Sequence, residues 1–343
     1  LNLVGLKKKD YMQGRIFLGQ NRDSERDYIY GCRDRVDEVF ECARSLRSRK
    51  YLYIRNYHPH LSHNQPSVFS DLGRTRQEIN RLAKNNPQTM NKVQLDYAGP
   101  DKPVEAFYDC DSDPQNLINL LEGTMTTVQQ EALREHRRAY RAERLKLRDP
   151  GAIPEDEMWR WVRKEGKPLH DILLGRSDHQ PDLQAAWRAA DQVGRSDFAG
   201  ALELLKSDDP NERYWAVIAL RSGGYEHGEQ LAGYLDDISA SVRIEVADWL
   251  AREKGSRKRA LDRLTRELTH EDWWVALRAC RAIELLGEDA REALPFMKKL
   301  YAKNRNRKGD GPFYLAFSSG AFLDGLGEKT EPWDFAPGAG AFT

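Results

Sequence analysis

The feature that most constrains this chain is a helical pattern that recurs in its C-terminal half. DPNERYWAVIALRSGG from Asp209, ISASVRIEVADWLAREKG from Ile238 and HEDWWVALRACRAIELLG from His270 can be laid over one another. The alignment brings together Ala216, Val246 and Ala279 and, one turn on, Leu220, Leu250 and Ile283, with offsets of 30 and 33 residues. Apolar residues four apart share one face of a helix. Each segment leads into a shorter amphipathic run: EHGEQLAGYL, RKRALDRLTREL and AREALPFMKKLY. A single pair of this kind leaves its apolar face open, so neighbouring pairs must stack. DLQAAWRAADQ with DFAGALELLKS reads as a preceding pair, and FYLAFSSGAFLDGLG as a final, partly capping helix.

The D-P-x-x-R…A-x-x-A-L spacing resembles HEAT-type repeats, which implies an α-solenoid over residues 193–328. Upstream the period changes. DYIYG is a short β-rich run closed by Gly31, and EVFECARSLRS and KYLYIRNY flank a polar turn at Ser48-Arg49. Tyr51, Tyr53, Arg55 and Tyr57 alternate with Leu52 and Ile54, which predicts a hairpin. A helix is predicted near 75–84, a strand at 104–109, and a helix opened by Asp113-Pro114. One long charged helix runs from Thr126 to Arg148. Its RRAYRAERLKLR stretch is basic, but Glu131, Glu135 and Glu143 interleave with the arginines, as on a solvated face. The fold class expected is α+β followed by all-α.

The balance of 54 Lys+Arg against 54 Asp+Glu removes the bulk electrostatic argument for a nucleic-acid partner. No run of eighteen apolar residues predicts a membrane span. The four cysteines (Cys32, Cys42, Cys110 and Cys280) form no CxxC pair, so buried free thiols are expected rather than disulfides or zinc. The opening LNLVGL reads as a helix end without a start, unlike a signal peptide or presequence. A fragment is therefore expected, with any targeting signal in a missing N-terminal part.

No phosphate loop, G-x-S-x-G elbow or H-E-x-x-H motif is present. His58, His60 and His63 fall within six residues and could approach a transition metal, but they lack a fourth ligand, so loop histidines are expected. Arg33, Asp34 and Arg35 follow the strand DYIYG, where charged residues often line a site. Paired arginines suit oxyanions. The competing reading pairs them with Asp37 and Glu38 on the surface.

The ordered motifs YMQGRIFLG, YIYGCRDRVDE, ARSLRSRKYLYIRNYHPH, AFYDCDSDPQNLINLL and LRDPGAIPEDEM resemble the C-terminal part of a sulfatase. They are most similar to the heparan N-sulfatase (sulfoglucosamine sulfohydrolase) branch, with Leu117 where that branch usually has glutamate. The resemblance implies an alkaline-phosphatase-like fold with antiparallel strands over residues 1–160. It divides the remainder into a connecting helical segment at 161–192, the repeats at 193–328 and a flexible tail at 329–343.

The resemblance also implies a formylglycine nucleophile, made from Cys or Ser in C/S-x-P-x-R, and calcium held by Asp and Asn ligands. Neither motif is in this sequence. Cys32 is followed by Arg33-Asp34-Arg35 and lacks the required proline. The expectation is a fragment, inactive alone, of an enzyme hydrolysing sulfate esters or N-sulfate groups on a sulfated carbohydrate. Arg33, Asp34 and Arg35 would bind substrate, and a periplasmic or secreted location would follow from the family. The alternative is a non-catalytic module whose repeat surface binds a protein partner.

Overall fold

A computed structural model describes residues 2–9, 11–331 and 333. The expected tail from 334 onward and Leu1 lie outside the described residues. The N-terminal part contains a four-stranded antiparallel sheet in sequence order: β1 (Ile29–Arg33), β2 (Ala43–Arg47), β3 (Tyr51–Asn56) and, after two helices, β4 (Glu105–Asp109). The predicted hairpin is β2–β3. It is closed by the Ser48 N–H on the Tyr51 carbonyl and by Ser48 Oγ.

Alternation assigns the two faces. Tyr51 and Tyr53 are buried, whereas Leu52 and Ile54 are half-buried. The buried face lies under a long helix. Between β3 and β4 come α1 (Arg74–Asn85), where a helix was expected, and α2 (Lys92–Ala98), capped reciprocally by Asn91 and Gln94. After β4 runs α3 (Thr127–Lys146), started by a Thr126–Gln129 capping box. Its His136 ring meets Tyr28, Tyr51 and Phe107, and Tyr140 meets Tyr53. On its opposite side Glu131–Arg134, Glu135–Arg138 and Glu143–Lys146 pair in solvent, as the interleaved charges predict.

The helix expected from Asp113-Pro114 does not form. Asp113 accepts from the Ile118 N–H at 2.8 Å, and Asn116 takes a left-handed φ of 54°, which ends any helical run. Asn119 has another task. Its Oδ1 accepts from the Phe107 N–H at 3.0 Å and its Nδ2 donates to the Glu105 carbonyl, so one amide completes the outer edge of β4. A single 3₁₀ turn, Leu120–Glu122, follows.

From 155 onward the described residues hold only helices and turns: α4 (Glu155–Glu165), α5 (Leu169–Leu173), α6 (Leu183–Ala190), α7 (Ala199–Leu204), α8 (Pro210–Gly223), α9 (Ala240–Leu250), α10 (Arg257–Glu267), α11 (Trp273–Leu286), α12 (Leu294–Asn304) and α13 (Asp310–Gly325). The run EHGEQLAGYL is 3₁₀ rather than α, over Gly228–Asp236. Each element packs chiefly on its neighbours: α8 on α6, α7 and α9, α9 on α10 and α11, α11 on α10 and α13. Ala216, Leu220, Val246, Leu250, Ala279 and Ile283 are all at 0% exposure in one apolar cluster, which extends back to Cys42 and Leu46 of the sheet.

This burial yields a stability test on the full chain. Leu250→Asp places an unpaired charge in that core and should cost roughly 4 kcal/mol or more in denaturant unfolding. Ile238→Asp, at a position 89% exposed, should be nearly neutral. Equal effects from the two substitutions would contradict the shared core.

Candidate functional site

Arg33, Asp34 and Arg35 leave β1 and enter a tight turn closed by a Val36–Val39 bridge, with Asp37 at a φ of 51°. The turn sends the three side chains to different places. Arg35 reaches the helical half. Its Nε donates to Glu155 Oε2 at 2.8 Å and its Nη1 to the Asp37 carbonyl. Its guanidinium lies 4.6 Å from the Trp274 ring centre, 5.4 Å from Tyr314 and 5.9 Å from Trp273. This is a stacked, half-buried arginine rather than a free one.

Asp34 turns back over the sheet and pairs at 2.8 Å with Arg44, which is fully buried. Arg33 is exposed and makes no ion pair among the described residues. Asp37 offers Arg35 only its carbonyl. The Glu38 carboxylate turns inward to accept from the Val68 N–H. Neither acid therefore forms the surface ion pair of the competing reading.

Beneath Asp34 lies a buried network that the sequence reading missed. Arg44 Nε and Nη2 donate to Asp149 Oδ2 and Oδ1 at 2.6 and 3.0 Å, and the Tyr30 hydroxyl donates to the same carboxylate. Burial pushes the Asp149 carboxyl up, but Arg44, Tyr30 and the Gly151 N–H together hold it below the usual carboxylate value. Alternation within β2 puts Arg44 on the same buried face as Leu46, two residues on. Nothing in local sequence marks Asp149, 105 residues away.

The histidines lie in the loop after β3, as expected, and part of that loop is buried. His58 is buried, stacked 5.5 Å from Trp215, and shares a 2.9 Å hydrogen bond with the Tyr214 hydroxyl. His60 lies 5.8 Å from His58, while His63 is exposed. Among the described residues no three His, Cys, Asp or Glu side chains gather as metal ligands would. Cys42, Cys110 and Cys280 are buried free thiols, and Cys32 is exposed. No described helix is long and apolar enough to cross a membrane.

Among curated proteins, an ulvan-active sulfatase of Formosa agariphila is 38% identical over 120 residues. The match covers 35% of this chain and 20% of the relative, so the chain matches about a fifth of that protein's length. No family model matches. No solved structure matches either. The chain thus contains a sulfatase-related region.

Burial of His58 gives a pH dependence with a definite sign. Desolvation, with Arg278, Lys102 and Arg221 nearby, holds its imidazole well below the ordinary 6.5. As pH falls through 6.5 the unfolded chain takes up a proton that the folded chain refuses, so stability is lost. Glu38 acts oppositely, because burial and Glu284 push it up to about 7 and the folded state protonates first. His58→Phe removes only the first effect. Between about pH 7.5 and 5.5 the wild type should lose about 1 kcal/mol more than the variant in urea unfolding. Equal losses would mean that His58 titrates normally.

Proposed function

We propose that this chain is the C-terminal, sheet-bearing portion of a carbohydrate sulfatase, joined to HEAT-like repeats. The observation that carries this reading is the 38% match to an ulvan-active sulfatase, together with five sulfatase-like motifs in order. A sulfated polysaccharide is the substrate class this favours. The heparan N-sulfatase-like branch is a narrower version of the same reading, and a protein partner on the repeat surface would be additional to it.

The residues present do not fit a formylglycine or a calcium ion. Cys42 and Cys280 are buried and burial holds their thiols protonated, Cys32 lacks the proline context, and among the described residues no carboxylate group is gathered for a cation. No step of sulfate cleavage is therefore assigned to this chain, and the chain alone should not turn over an aryl sulfate. Its contribution is to recognition.

Within this reading, Arg33, Asp34 and Arg35 form the rim of the substrate pocket with separate roles. Arg33, exposed and unpaired, is the guanidinium that would grip a carboxylate or second sulfate of the sugar chain. Asp34 is tethered by Arg44. Arg35 fixes the turn to Glu155 and Trp274 and so acts as a positioning residue.

An in-frame C/S-x-P-x-R motif encoded upstream of LNLVGL would support the enzyme, and a start codon immediately before it would support the interaction module. In the complete enzyme, Arg33→Ala should raise KM about tenfold on a charged oligosaccharide with kcat unchanged, and leave a small aryl sulfate unaffected. Identical kinetics on both substrates would remove Arg33 from the rim.

A further inference from the structure

The basic stretch RRAYRAERLKLR has a second face. Arg138 points to solvent and pairs with Glu135, but Arg137 and Arg141 line a cavity of about 200 Å³ between α3, the β3–β4 end of the sheet and residues 191–195. Arg55 and Arg195 also line it, beside Tyr53 and Tyr140, and Arg141 and Arg195 at its mouth are exposed.

Two carboxylates, Glu105 and Asp191, also face this space, and both are already satisfied. Glu105 takes Arg137 at both oxygens and the Tyr53 hydroxyl. Asp191 takes Arg144 at both oxygens and the Tyr57 hydroxyl at 3.0 Å. Burial alone would push both acids up, yet their arginines hold them below the usual values, so both stay ionised. With Arg144 beside the four lining arginines, five cations stand against two carboxylates and leave three positive charges in excess.

The backbone fixes the remaining donors. Arg55 Nη2 is held by the Val193 carbonyl at 2.6 Å, its Nη1 lies 3.9 Å from Glu105 Oε1, and its guanidinium lies 5.3 Å from the Tyr57 ring centre. Gly194, at a φ of +80°, presses so closely on Val104 that a Cβ there would sit 2.6 Å from it, and the next residue, Arg195, lines the cavity. Among the described residues the Arg195 side chain bonds only through Nε, to the Asp191 carbonyl, so both terminal nitrogens are without a partner there. Arg141 makes no ion pair among the described residues.

We propose that this cavity binds a tetrahedral oxyanion, either free sulfate or phosphate or the sulfate group of a larger glycan, with Arg141 and Arg195 as its principal ligands and Arg55 at its floor. Planar guanidinium forks match such oxygens in pairs. The volume lies below the ~300–1,000 Å³ of pockets for drug-sized ligands, which favours one small anion or a single anionic group. The proposal does not depend on the sulfatase reading, since it rests on this cavity's own chemistry.

Isothermal titration calorimetry of the full chain at low ionic strength tests it, using sodium sulfate, sodium phosphate, and a sulfated oligosaccharide beside its desulfated counterpart. Wild type should bind saturably with a Kd of about millimolar, and Arg141→Glu with Arg195→Glu should weaken binding at least ~tenfold. Arg138→Glu, on the solvent face, should change it less than ~threefold, as screened surface charge does. Binding of inorganic sulfate would identify the free ion as a ligand, and binding of the sulfated oligosaccharide alone would identify the glycan-borne group. Matching melting curves of the variants show that folding is intact. No saturable binding of any probe, equal binding of the desulfated sugar, or equal weakening by Arg138→Glu would overturn the proposal.

Discussion

The buried ion pair between Arg44 and Asp149 is the contact on which the rest of the structure depends. It joins the second strand of the sheet to the segment that ends the long helix, and that segment holds two tryptophans of the C-terminal helices. The Asp149 carbonyl accepts from Trp187 Nε1 at 2.9 Å, and the Ala152 carbonyl accepts from Trp215 Nε1 at 2.6 Å. Tyr57 packs between these two indoles from the sheet side. The chain can make this turn because Arg148 adopts a left-handed φ of 52° and Gly151 has no side chain. A Cβ at Gly151 would run into the Arg44 guanidinium. Such a pair costs desolvation, so its value lies less in net stability than in forcing one arrangement: either charge left alone inside would cost about 3–5 kcal/mol.

From that junction the functional surfaces follow. Asp34 rests on the outer side of Arg44, so the turn carrying Arg33 is placed by the same ion pair that seats the tryptophans. Arg35 then ties that turn to α4 and α11 through Glu155, Trp273 and Trp274, so the helical half is joined to the end of β1. Pro66 and Phe40 meet Arg281 and Arg278 of α11, which extends this contact along the helix. A chain of zero net charge in this way still gathers arginines locally, at the end of β1 and around Arg141. Net charge describes neither.

Periodicity made the buried helices α8, α9 and α11 and the hairpin legible, because Leu220, Leu250 and Ile283 each lie on the apolar face of a helix. The solvated face of α3 was legible for a similar reason. Asp113-Pro114 misled because a cap and a proline suit a turn as well as a helix, and Asn119 was drawn away to the edge of β4. The fates of Arg35 and His58 were not legible: their partners, Trp274 and Trp215, lie 239 and 157 residues on and come close only through the fold. Arg141 was hidden by its neighbours, since residue types alone show which charges are present but not which carboxylates are already taken.

The central claim is that the Arg44–Asp149 junction couples the sheet and the C-terminal helices into one cooperative unit. Native-state hydrogen exchange on wild type and Gly151→Ala tests it most directly, because this substitution disturbs the ion pair without changing any charge. The account predicts that protection falls by the same free energy at the β2–β3 amides and at the interior amides of α8 and α9. A loss confined to the sheet, with α8 and α9 as protected as before, would contradict it.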